Sequence, residues 1–131
     1  MSFPTISASL AAAFAILMVL LSLLTSLGRA SLKVTHGDGG DETLRRRIRA
    51  HGNFAEYAPM ALLLLLFVEI AGAEKEAVMI LAVALLAARV LHAVGMLFTS
   101  GPALRAVAMF LQHSAFVYGA VLLIERVLHA A

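Results

Sequence analysis

A chain of 131 residues with 62% hydrophobic and 14% charged residues and a mean hydropathy of +0.95 is expected to form one domain over 1–131, but not a soluble one. Soluble domains are about half apolar and a quarter charged, and so short a chain has too little interior to hide the excess, so an integral membrane protein follows. With no cysteine there is no disulfide framework, thiolate metal site or cysteine nucleophile. The net charge of +2 is concentrated, with six of the ten basic residues between Arg29 and Arg49, a local patch that suits lipid headgroups or membrane orientation rather than nucleic acid.

The first apolar segment, Ile6 to Leu27, is long enough to span a hydrocarbon core of ~30 Å. It lacks the basic n-region and small-x-small cleavage site of a signal peptide. Arg29 and Lys33 follow, then His36-Gly37-Asp38-Gly39-Gly40-Asp41, whose glycines predict a turn with positive φ. No Walker-type Gly-Lys-Ser/Thr follows, so a phosphate-cradling loop is disfavoured. Asp41 is placed to cap a second helix, with Glu42 in its first turn. That helix is expected over 42–71, passing through Pro59 into the hydrocarbon, where neighbouring helices can satisfy a carbonyl freed by proline. The third span is expected over 77–98 and the fourth over 104–123, giving an all-α, four-helix membrane bundle. Lysine and arginine counts put the first and third loops in the cytoplasm and both termini outside.

The second helix carries the polar residues that most need explaining. At 100° per residue, Arg45, Arg49, Gly52, Asn53 and Glu56 fall within an arc of roughly 100°, with Tyr57 on its flank. Arg89, His92 and Met96 share a face of the third helix, and Arg105 stands at the mouth of the fourth. One reading is structural: Glu56 pairs with Arg49 or Arg89 and staples helices together. The other is an anion site at the membrane interface. Arginine forks bind carboxylates bidentately, and Glu56 would receive an ammonium group. Glu69 is either structural or close to the far interface. Gln112, His113 and Tyr118 suit hydrogen bonds between helices. His51 and His92 lie on different helices without His-x-x-x-His spacing, so no metal site is expected.

The run Arg49-Ala50-His51-Gly52-Asn53-Phe54-Ala55-Glu56-Tyr57-Ala58-Pro59 resembles the second-helix motif of the MAPEG family, the membrane-associated proteins in eicosanoid and glutathione metabolism. The pattern is Arg-Ala-His/Gln-x-Asn-x-x-Glu-x-x-Pro. The preceding Gly37-Asp38-Gly39-Gly40 resembles the short-loop bacterial inner-membrane branch. The resemblance covers essentially the whole chain. It implies a homotrimer of four-helix protomers, with glutathione as co-substrate held between subunits near the cytoplasmic face and a small lipophilic substrate supplied from membrane lipid. Arg49, Asn53, Glu56 and Tyr57 match glutathione-holding positions. His51 matches a position taken by glutamine or histidine, and Arg89-x-x-His92 matches the third-helix pattern. Arg29 corresponds to a first-helix basic residue near that site. Arg105 matches the catalytic arginine that supports the glutathione thiolate. An ordinary thiol has a pKa of ~8.5, lowered by a nearby arginine; a two-unit shift asks for about 2.7 kcal/mol. Met96 stands where active members often have tyrosine.

The resemblance thus implies a glutathione transferase or peroxidase acting on lipophilic electrophiles. Two alternatives accompany it: a non-catalytic membrane protein that binds a lipid or anionic ligand, and a small proton-coupled efflux protein using Glu56.

Overall fold

The computed structural model describes residues 3–130. Four helices follow one another: α1 (Thr5–Leu32), α2 (Glu42–Ile70), α3 (Lys75–Phe98) and α4 (Ala103–Ala130). Each is long and apolar enough to cross a membrane, and the protein is a four-helix membrane bundle. Helices α1 and α4 overrun the apolar stretches that predicted them, by five residues beyond Leu27 and by seven beyond Leu123. The physical reason is that hydropathy marks the hydrocarbon, whereas hydrogen bonding carries a helix on through the headgroup region. At ~1.5 Å per residue, 24 to 29 residues reach about 36 to 44 Å, more than the core alone.

Consecutive helices run antiparallel, and contacts confirm the direction. Gly28 of α1 lies against Arg47 and Leu44 of α2, while Ile6 and Ser7 at the other end of α1 meet Glu69. Gly95 meets Arg105, and Gly119 meets Leu81 of α3 and Leu64 of α2. Helices α2 and α3 each touch all the others, whereas α1 and α4 do not touch each other among the described residues. The core between them includes Phe14, Phe54, Leu65, Leu81 and Leu85. Phe14 and Phe54 meet edge to face with centroids 5.2 Å apart, a geometry favoured by the ring quadrupole.

The helix ends show how the chain satisfies its orphan backbone groups. The 33–41 loop turns as its glycines predict: Gly39 has φ +60°, and a Cβ there would come within 2.6 Å of Val34. Asp41 caps α2 by accepting from Leu44 N at 2.6 Å. Helix α1 begins after Pro4, which offers no side-chain cap. Glu69, from the far end of α2, takes that role instead. Its carboxylate accepts from Ile6 N at 3.0 Å, from Ser7 N at 2.7 Å and from the Ser7 hydroxyl. A negative charge at a helix N-terminus also meets the positive end of the helix dipole. Glu69 is therefore a structural clamp between α1 and α2.

Candidate functional site

The end of the bundle formed by the 33–41 loop and the 99–102 turn holds two neighbouring cavities. One, of about 480 Å³, is lined by Ile48, Arg49, Gly52, Asn53, Glu56, His92, Met96 and Arg105. The other, of about 450 Å³, is lined by Glu42, Arg45, Arg46, Arg49, Met96, Ser100 and Arg105. They share Arg49, Met96 and Arg105 as walls. Both volumes fall within the ~300–1,000 Å³ typical of small-molecule sites.

Three elements supply the polar lining. Helix α2 presents Arg49, Asn53 and Glu56 at spacings of three and four, as one helical face must. Helix α3 contributes His92 and, four residues on, Met96. Arg105 comes from the first turn of α4 and is brought in by a close approach of α3 to α4. A Cβ on Gly95 would lie 2.9 Å from Arg105 Cγ and 3.3 Å from its backbone nitrogen. Glycine at this position lets the first turn of α4 lie against α3. Arg105 then donates from Nη1 to Met96 Sδ at 3.5 Å, while its Nε is buried without a partner among the described residues.

The other expected site residues lie elsewhere. Arg89 is buried, with 1% of its surface exposed, and lies outside both cavities. It donates from Nη1 to Asn53 Oδ1 at 2.9 Å and from Nη2 to Met109 Sδ at 3.6 Å, and its guanidinium lies 4.8 Å from the centre of the Tyr57 ring. Tyr57 is therefore directed into the helix packing. It stacks with Phe116 at 6.3 Å and meets His113 edge-on at 6.1 Å. Arg29 reaches back to its own loop, donating to Thr35 O at 3.4 Å. His51 and Arg29 line neither cavity.

The Arg89 contact fixes the orientation of Asn53. A guanidinium has only donors, so the amide atom facing Arg89 is the oxygen. The Nδ2 group is left as the donor available to the cavity.

The ion-pair staple is not formed. Among the described residues the one salt bridge joins Glu42 and Arg45, an exposed pair within the first turns of α2, of a kind that contributes little. Glu56 is exposed at the cavity, and Arg89 is held by an amide, a thioether and a ring face instead of a carboxylate. Nor does Gln112 form the expected interhelical bond. It is completely buried, and neither amide atom has a partner among the described residues. Its polar surface is a local cost to packing.

Ser100 was not singled out by the sequence, and Arg46 was read with Arg45 and Arg47 as setting orientation and meeting headgroups, not as a cavity wall. Arg46 could have been found, because it precedes Arg49 by one helical turn. Ser100 lies in a short turn whose sequence signals only a chain reversal. No group of three or more histidine, cysteine or acidic side chains able to hold a metal occurs among the described residues.

Fold and site together define a four-span membrane protein with a cationic cavity at one end of the bundle. The sequence model of the MAPEG family matches residues 7–130, nearly the whole chain, and the protein belongs to that family of membrane proteins in eicosanoid and glutathione metabolism. Among curated relatives, the inner membrane protein YecN of Escherichia coli strain K12 is 46% identical over 67 residues, 51% of this chain and 51% of the relative. YecN of Escherichia coli O6:H1 strain CFT073 matches to the same extent, so the similarity spans about half the length of these relatives. No solved structure matches.

Proposed function

We propose that the protein is a glutathione-binding enzyme of the bacterial inner membrane, a transferase or peroxidase acting on lipophilic electrophiles. The observation that carries this reading is the convergence of Arg49, Asn53, Glu56 and His92 with Arg105 on one cavity. These residues come from three helices, and each matches a position of the family's glutathione pattern. Family membership and the inner-membrane relatives supply the context.

The donor set fits a zwitterionic tripeptide. Arg49 would hold a carboxylate, with Arg45 and Arg46 available to the second across the adjoining cavity. Glu56 would take the ammonium group, and the free Nδ2 of Asn53 would donate to a carboxylate or amide oxygen. Arg105 would hold negative charge on sulfur, its Nη1 being engaged only by a weak thioether acceptor. Glutathione would supply the nucleophilic sulfur for conjugation or for reduction of a hydroperoxide. The apolar helix surfaces beside the cavity would admit a second substrate from the bilayer.

Arg29 and His51, which do not line their own chain's cavity, fit the same scheme if they serve a neighbouring subunit. A homotrimer with binding between subunits accommodates them. The lysine and arginine distribution directs this end of the bundle to the cytoplasm and both termini to the periplasm.

Met96 favours a second, non-catalytic reading, in which the cavity binds an anionic ligand without chemistry. It places a thioether beside Arg105 in a position where a hydroxyl would assist a thiolate. Thiolate absorbance of the purified protein with saturating glutathione, followed by turnover with an activated aryl chloride and a lipid hydroperoxide, distinguishes the two. The enzymatic reading expects a thiolate band at neutral pH and turnover with one of the substrates. Binding without either result supports the second reading. The clustered arginines disfavour export of cations.

A further inference from the structure

On the side of α2 that faces α1, a separate cavity of about 270 Å³ is lined by Leu24, Thr43, Arg46, Arg47, Leu97 and Phe98. We infer that it is a binding site for one anionic phospholipid. Its phosphate would lie between Arg46 and Arg47, and an acyl chain would run along Leu24 and Phe98.

The position of Arg47 is built into the packing of α1 and α2. Gly28 on α1 has no side chain, and a Cβ there would meet Arg47 Nη1 at 3.0 Å. The arginine therefore lies across α1, where Nη1 donates to Leu24 O at a long 3.4 Å. This is a weak use of a five-donor group. Arg46 and Arg47 are both half-buried, and neither has a carboxylate partner among the described residues. Two partly desolvated guanidiniums left without neutralisation make a strong complement to a phosphodiester. The Thr43 hydroxyl adds a donor on the same turn of α2.

The apolar side of the cavity selects a lipid over a free anion. Phe98 is 77% exposed at the end of α3, and Leu20, Leu23, Leu24 and Leu27 form an exposed stripe along α1. A soluble phosphate would leave this surface uncovered, whereas a phospholipid would cover it while placing its headgroup at the arginines. Anionic headgroups near a basic membrane boundary are attracted further by the surface field. Arg46 also borders the larger cavity, so Arg47 is the cleaner position for a test.

The test is native mass spectrometry of the detergent-purified protein with phosphatidylglycerol, phosphatidylcholine and phosphatidylethanolamine. Phosphatidylglycerol should be retained on the order of fivefold more than either zwitterionic lipid, and Arg47→Gln should remove that preference, in keeping with the worth of one basic residue near anionic lipid. Arg126→Gln, at the other end of the bundle, should leave it intact. Thermal melting followed by helical circular dichroism shows whether Arg47→Gln is folded; if it is not, Thr43→Val and the wild-type headgroup comparison carry the test. Equal retention of the three lipids, or a preference unchanged in folded Arg47→Gln, would overturn the assignment. Full displacement of phosphatidylglycerol by equimolar inorganic phosphate would overturn it too, assigning the cavity to a free anion.

Discussion

Arg105 and Arg89 differ by environment more than by chemistry. Arg105 lines an open cavity, whereas Arg89 is enclosed and uses Nη1 on Asn53 and Nη2 on Met109; the Nε of each is buried without a partner among the described residues. This divides their expected roles. Arg105→Ala should abolish the glutathione thiolate band while changing the dissociation constant by less than about tenfold, since the half-buried Arg105 is assigned to the sulfur and not to the carboxylates; loss of binding with unchanged turnover per bound ligand would contradict it. Arg89→Leu should weaken glutathione binding through Asn53 without touching the ligand. A double-mutant cycle with Asn53→Ala should show coupling of about 1.5–3 kcal/mol, the range for a hydrogen bond to a charged donor, and additive effects would refute the link. The Arg49, Asn53 and Glu56 face was legible in the sequence because helical spacing alone dictates it. Arg89 was not, because the same spacing serves a ligand contact and a buried support. Only the position of Asn53 on the neighbouring helix separates these.

At the scale of elements, the sequence specified four helices and the cap of α2 through local signals. Asp41 sits before a charged first turn, and glycines mark the reversal from α1 to α2. Contacts between distant elements carry no such signal. Nothing adjacent to Glu69 announces that it will cap a helix more than sixty residues earlier. Nor does Gly95 reveal that it makes room for Arg105 until α3 and α4 are packed. Glu69→Gln keeps the size of the side chain but removes its charge from two backbone donors and a hydroxyl. It should cost about 2 kcal/mol of stability, within the range for charge-assisted hydrogen bonds. A thermal melt in detergent checks this, and an unchanged midpoint would show that the clamp contributes nothing.

For the whole molecule, the positions of the helices create an asymmetry between the two ends. The guanidiniums of α2 and Arg105 of α4 gather at one end, and Glu69 closes the other by joining α2 to α1. Under the proposed function this end is a glutathione site opening to membrane-soluble substrates, with Arg49, Asn53, Glu56, His92 and Arg105 lining its cavity. Isothermal titration of the purified protein with glutathione tests that claim most directly, with Glu56→Gln and Arg49→Gln titrated alongside. The account predicts saturable binding by the wild type, weakened by on the order of tenfold in each variant, as expected when a charged hydrogen-bonding partner is lost. No heat of binding at millimolar glutathione, or equal binding by wild type and both variants, would contradict it.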